Sequence, residues 1–205
     1  MDWLTILLGG LAGGLILAYL ADVVVLKVRR WYRGDSGIAI HFSPKGGCVD
    51  AIVAELTRAR SEILVQAYSF TNREIVNALV DAVKRGVRTS IMLDKSNEVE
   101  TYTELGDLTA HGMDVHIDGA HAIAHNKVMI IDNRTVITGS FNFTRQAELE
   151  NAENLLIFRN QPELAARYKD NFHSHAGHCH APGTAAPKPS DSAPHASSFH
   201  HKRAA

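Results

Sequence analysis

Two cysteines, Cys48 and Cys179, are too few and too far apart for a disulfide framework or a four-thiolate zinc site, so the fold must rest on its own core. An excess of charge of one sign is also missing. The 21 Lys and Arg against 22 Asp and Glu leave a formal net charge of -1, and no global basic field advertises a nucleic-acid binder. Any polyanion site has to be local. With 205 residues there is room for one domain of ordinary size and little for a second. The 45% hydrophobic content is ordinary, but it and the 12 histidines are unevenly spread. That unevenness divides the chain into 1–33, 34–172 and 173–205.

Residues 3–26 read WLTILLGGLAGGLILAYLADVVVL, and their only charge is Asp22. At ~1.5 Å rise per residue such a run crosses a hydrocarbon layer of ~30 Å with some tilt. The expectation is an amino-terminal membrane anchor. A cleaved signal peptide is the main alternative, but Met1-Asp2 provides no basic start and no small-x-small cleavage site follows the run. Lys27, Arg29, Arg30 and Arg33 follow it, so the positive-inside rule places the rest of the chain in the cytoplasm, or in the periplasm or outside the cell if the run is cleaved. Gly9 with Gly13 and Gly10 with Gly14 are spaced for close helix approach in a membrane, although glycine is common in membrane helices anyway.

The middle alternates short apolar runs with amphipathic stretches, which predicts an α/β domain. Strands are expected at 38–42, 63–68, 87–93, 114–117, 127–131, 135–138 and 155–158, and helices at 49–59, 72–85, 99–110 and 162–172. Gly86 and Gly112 stand where helices should stop. The resulting picture is a mixed, mostly parallel sheet with helices on both faces. After Phe172 the composition turns to Ala, Pro, Ser and His, which reads as a disordered tail. Its cluster His173, His175, His178, Cys179 and His180 has donor types suited to a transition metal, but its spacing matches no closed zinc motif, and no metal site is assigned to it.

The chemistry concentrates in His125-Asn126-Lys127, Asp132 and Gly139-Ser140-Phe141-Asn142. If Asn133-Arg134 form a two-residue turn, Asp132 pairs with Thr135, Lys127 lies opposite Ser140, and His125 lies opposite Asn142. Alternation then puts His125, Lys127, Ser140 and Asn142 on one face. An imidazole that can attack or shuttle protons would stand beside an ammonium, a hydroxyl and a carboxamide that can hold phosphoryl oxygens. A phosphodiester is the natural substrate. The pattern His-x-Lys-x4-Asp-x6-Gly-Ser-x-Asn has six set positions, and its chance occurrence in such a chain is on the order of 10^-5.

This pattern resembles the signature of the phospholipase D superfamily, most closely its small bacterial nucleases with one motif copy. The resemblance extends over about 37–172, including His41-Phe42-Ser43-Pro44, Ala67-Tyr68-Ser69-Phe70-Thr71 and Glu153-Asn154. It implies a phospholipase D/nuclease-like fold and a reaction that needs neither metal nor cofactor. His125 would be the nucleophile that forms a phosphohistidine, and Lys127, Ser140 and Asn142 would bind the phosphate. Glu153 would accept a hydrogen bond from His125, and Asp132 would organise the hairpin rather than touch substrate. The family mechanism uses two such histidines, one as the acid for the leaving group. His111, His116 and His121 lack the lysine spacing and read as loop or surface residues, so a homodimer pairing two copies of His125 is implied.

Phe42, Tyr68, Phe70 and Phe141 could stack bases or could be core, and Lys45, Arg73, Lys95 and Arg145 could track a phosphate backbone or simply be solvated. The expected function is metal-independent nucleic-acid cleavage. The alternatives are a phospholipase acting on lipid headgroups beside its anchor, and a binding protein without turnover.

Overall fold

The computed structural model describes residues 37–99 and 103–184, together with residue 14 and residues 19–24. Apart from those few positions the expected membrane segment 3–26 lies outside the described residues, as do its basic flank and residues 185–205. Among the described residues no helix is long and apolar enough to cross a membrane.

Seven strands form one sheet: β1 (Gly37–Ser43), β2 (Glu62–Ala67), β3 (Arg88–Asp94), β4 (Asp114–Asp118), β5 (Lys127–Ile131), β6 (Thr135–Gly139) and β7 (Glu153–Arg159). Their spatial order is β1-β7-β6-β5-β2-β3-β4. Only β2–β3 and β3–β4 pair in parallel; β2–β5, β5–β6, β6–β7 and β1–β7 are antiparallel. The sheet is mixed as expected but not mostly parallel. The reason is the connection after β4: residues 119–126 contain no helix, so the chain crosses the strand ends and β5 runs back beside β2.

Helix α1 (Cys48–Arg58) and helix α2 (Arg73–Lys84) cover one face, with Ile52, Leu56, Ile75 and Leu79 fully buried against Ile63, Val65, Met129 and Ile137. Asn72 starts α2 by accepting the amides of Glu74 and Ile75 at 3.0 and 3.1 Å, a cap that stabilises such a helix by ~1 kcal/mol. A 3-10 turn (Lys95–Glu98) and the short α3 (Leu105–Ala110) replace the single helix expected over 99–110. The buried side chain of Asn97 accounts for this, because it donates to the Tyr68 and Asp94 carbonyls and pins the chain in a tight turn. A further short helix, α4 (Arg145–Leu149), was not expected; Thr144 caps it through the Ala147 amide.

The opposite face carries α5 (Pro162–Ala176), whose Ala165 and Phe172 pack on Leu64, Met92, Val128, Ile130 and Val136. This helix runs four residues past the expected boundary at Phe172. The chain then returns to the sheet, where Ile117 and His180 exchange backbone hydrogen bonds of 2.7 and 3.0 Å along the β4 edge. The segment 173–184 is therefore part of the fold, contrary to its composition. Contacts with Ile117 and the buried Asp118 hold it there.

Candidate active site

The β5–β6 hairpin closes one residue earlier than the expected two-residue turn. Ile131, not Asp132, pairs with Thr135, and Asp132-Asn133-Arg134 form a three-residue turn in which Asp132 and Asn133 have φ of 52° and 54°. Asp and Asn tolerate that left-handed conformation better than most residues. The carboxylate of Asp132 is drawn out of the strand by the α1–β2 connection. It accepts the amides of Arg60, Ser61 and Glu62 and the Ser61 hydroxyl, at 2.8–3.2 Å. Burial alone would raise its pKa, but these hydrogen bonds, led by the Ser61 hydroxyl, hold it below the usual carboxylate value.

Because Val128 pairs with Thr138, Lys127 comes opposite Gly139 and the face-sharing with Ser140 predicted from simple alternation does not follow. A second irregularity breaks the alternation beyond Gly139. The amides of Ser140 and Phe141 both donate to the Asn154 carbonyl, at 3.1 and 3.2 Å, so two residues face one in a β-bulge. Gly139 makes this possible: its φ is 150°, and a Cβ there would lie 2.3 Å from the Asn154 oxygen. The hydroxyl of Ser140 is in turn held by the Asn154 amide and side chain, at 3.1 and 3.3 Å.

The start of β5, the end of β6, the start of β7 and the ends of β1 and β2 all lie at one end of the sheet. That end collects His125, Lys127, Ser140 and Glu153, with Asn142 just beyond β6. His125 is exposed, and its ring meets the Tyr68 ring edge-on with centroids 4.8 Å apart. Lys127 is buried. Its ammonium lies 5.1 Å from the Tyr68 ring centre and 3.4 Å from the His125 carbonyl. Burial lowers its pKa below the ordinary lysine value, and Glu153 partly offsets that. Asn142 Oδ1 is buried and has no hydrogen-bond partner among the described residues. An ammonium and a carboxamide beside an accessible imidazole can bind and polarise a phosphoryl group.

One expected placement differs. Glu153 accepts from Asn151 Nδ2 at 3.2 Å rather than from His125, whose ring has Tyr68 as its neighbour. Asp132, at the far end of β5, stands about 17 Å from Lys127 at the ordinary rise per residue and holds the hairpin turn rather than the end where His125 and Lys127 lie. A concavity of about 840 Å³ lies at that far end around Glu55, Asp132 and several arginines, with no histidine or lysine in its lining.

Phe70 and Phe141 are fully buried core, whereas Phe42 is 66% exposed at the end of β1. Arg73 is paired with Glu104 and Asp107, and Lys95 donates to the His121 carbonyl; Lys45 and Arg145 are exposed. Asn151, which holds Glu153, was not singled out by motif reading, and Asn154, quoted there beside Glu153, was given no role although it holds Ser140. Their neighbour Glu153 was the available cue.

The family described as "Cardiolipin synthase, PLD-like domain" matches residues 52–176, more than half of the chain. A phospholipase D of Rickettsia conorii is 43% identical over 137 residues, 67% of this chain and 68% of that one. A mitochondrial cardiolipin hydrolase of Danio rerio is 30% identical over 122 residues, 59% of this chain and 53% of that one. Among solved structures, the phospholipase D family member Nuc from Salmonella typhimurium superposes with a TM-score of 0.68 at 33% identity, covering 70% of this chain and 96% of Nuc. The motif, the sheet end that gathers it and these likenesses agree: the chain belongs to the phospholipase D superfamily and is a hydrolase of phosphodiester bonds.

Proposed function

We propose that this phosphodiesterase cleaves nucleic acid without metal chemistry, through a phosphohistidine at His125, in a site completed by a second copy of the chain. The observation that carries the reaction is the exposed His125 imidazole beside the buried Lys127 ammonium. The imidazole attacks phosphorus, the P–O bond to the leaving group breaks, and the partner copy's imidazole gives that oxygen its proton. Water then takes the phosphoryl group from His125, with the same partner imidazole as base. Lys127, Ser140 and Asn142 bind the non-bridging oxygens.

Nucleic acid is favoured by the extensive likeness to Nuc and by Lys45 and Arg145, two cations exposed toward the site's end of the sheet. A homodimer is favoured by the single histidine motif and by an uncovered apolar stripe. Ile38, Ile40 and Phe42 are 61%, 56% and 66% exposed on one face of β1, and Phe158 and Leu156 continue that stripe on β7 opposite Ile38 and Ile40. Segment 3–26 would anchor the enzyme in a membrane with its catalytic domain in the cytoplasm. The lipid reading is kept because the relatives from Rickettsia conorii and Danio rerio are named for phospholipid and cardiolipin hydrolysis.

The full chain should be incubated in chelator with plasmid, single-stranded DNA, RNA and anionic phospholipid vesicles. Cleavage of nucleic acid, lost in His125→Ala, is expected. Cleavage of lipid alone transfers the assignment to the second reading, and inertness toward all four, both with and without chelator, leaves a binding protein. Sedimentation of the active enzyme only as a monomer would rule out the shared site.

A further inference from the structure

Asp118 ends β4 with its side chain fully buried, and among the described residues no lysine or arginine pairs with it. Its Oδ1 accepts the amides of Ala120 and His121, at 3.1 and 3.3 Å. Its Oδ2 faces three imidazoles: His121 Nδ1 at 2.9 Å, His175 Nδ1 at 3.2 Å and His178 Nε2 at 3.6 Å. The three rings surround that oxygen with centroids 4.8, 5.0 and 5.3 Å apart. All four donor atoms lie within 4.8 Å of one another, and His178 Nε2 is buried without a hydrogen-bond partner. In tetrahedral zinc sites with bonds of 2.0–2.2 Å the ligand atoms stand roughly 3.3–3.5 Å apart. The distances from Oδ2 bracket that value, so small side-chain adjustments close the set.

We propose that Asp118, His121, His175 and His178 bind one tetrahedral divalent transition-metal ion, zinc by the donor set, which clamps the loop leading to His125 onto the end of α5. Imidazole and carboxylate donors suit zinc, and four protein ligands leave no open position for substrate. The ion is structural. It compensates a buried carboxylate that otherwise faces two backbone amides and three imidazoles. Asp118 ends β4 and His121 lies in the loop after it, while His175 is in the last turn of α5 and His178 just past it, so one ion ties together segments 57 residues apart. The same loop is held by Ala124 N on Asp94 Oδ2 at 2.7 Å and by Lys95 on the His121 carbonyl at 2.8 Å. It reaches the nucleophile four residues after His121. Cys179 stays outside the set, with its thiol 3.2 Å from the His175 carbonyl.

The test strips the full chain with chelator and adds Zn²⁺ or Co²⁺ alone. About one equivalent of zinc should be retained through gel filtration, with a raised Tm, and Co²⁺ should give the intense visible absorption of a tetrahedral site. His121→Ala and His178→Ala, checked for folding by circular dichroism, should both lose the absorption and the Tm shift. A triple replacement of His195, His200 and His201 by Ala should keep both. X-ray absorption on the unmodified zinc-loaded chain, which needs no variant, should show three imidazoles and one carboxylate oxygen. The proposal is overturned if zinc is not retained, if Co²⁺ gives the weak octahedral spectrum, or if binding survives in the folded His121→Ala and His178→Ala chains. Loss of binding in the triple variant alone would assign the metal to the tail instead.

Discussion

Replacing Asp132 with Asn separates a motif residue that builds the fold from one that does chemistry. The carboxylate accepts three backbone amides and one hydroxyl from residues 60–62, all exposed except the bond from Glu62, which is partly buried. Hydrogen bonds to a charged acceptor are each worth ~1.5–3 kcal/mol when buried, and water replaces part of that here, so a loss of about 2–4 kcal/mol is expected. For a domain of this size each kcal/mol lowers Tm by ~2–4 °C, which makes the fall about 4–16 °C. The turnover number of the folded variant should stay within about threefold of wild type, because the residue is remote from Lys127. The pH dependence has a set sign. The folded pKa is depressed, so the contribution is present above the unfolded value near ~4 and disappears as pH falls through the folded value. Thermal melts of both proteins from pH 7 to pH 3 should therefore converge at the acid end. A variant that melts like wild type yet loses activity 100-fold would refute this placement of Asp132.

Gly139→Ala should abolish soluble expression or cut activity by at least ~100-fold, since the added methyl meets the Asn154 oxygen and strains a backbone that only glycine adopts readily; activity per folded molecule is the measurement. Lys127 binds phosphate only as the ammonium and its pKa is lowered by burial, so the alkaline limb of kcat/KM should fall below the ordinary lysine value of ~10.4, and Lys127→Arg should move that limb upward. Cys48 is fully buried, and its thiol is pushed up to about 11 first by burial and then by Glu148. Alkylation at pH 8 should leave it unmodified in the native protein and label it quickly in denaturant.

The strands were legible because each is a short aliphatic run; Lys127-Val-Met-Ile-Ile is buried throughout, and its sequence pattern already read as a strand. The chemical residues were legible because their spacing is rare. What escaped was set by contacts remote in sequence. The hairpin shifted by one residue because amides some 70 positions away capture the Asp132 carboxylate. The bulge after Gly139 depends on a single carbonyl of β7, which no local pattern announces. Residues 173–184 read as tail by composition, yet Asp118 and Ile117 hold them against the β4 edge. Five-residue α4 is shorter than two helical turns, too short for periodicity to reveal.

The most direct measurement is to trap the enzyme in mid-turnover with a phosphodiester carrying a radiolabelled phosphoryl group, quench in alkali to preserve phosphoramidates, and map the label. Label on His125, lost with activity in His125→Ala, is the expected result. Label on another side chain, or full turnover by His125→Ala, would contradict it.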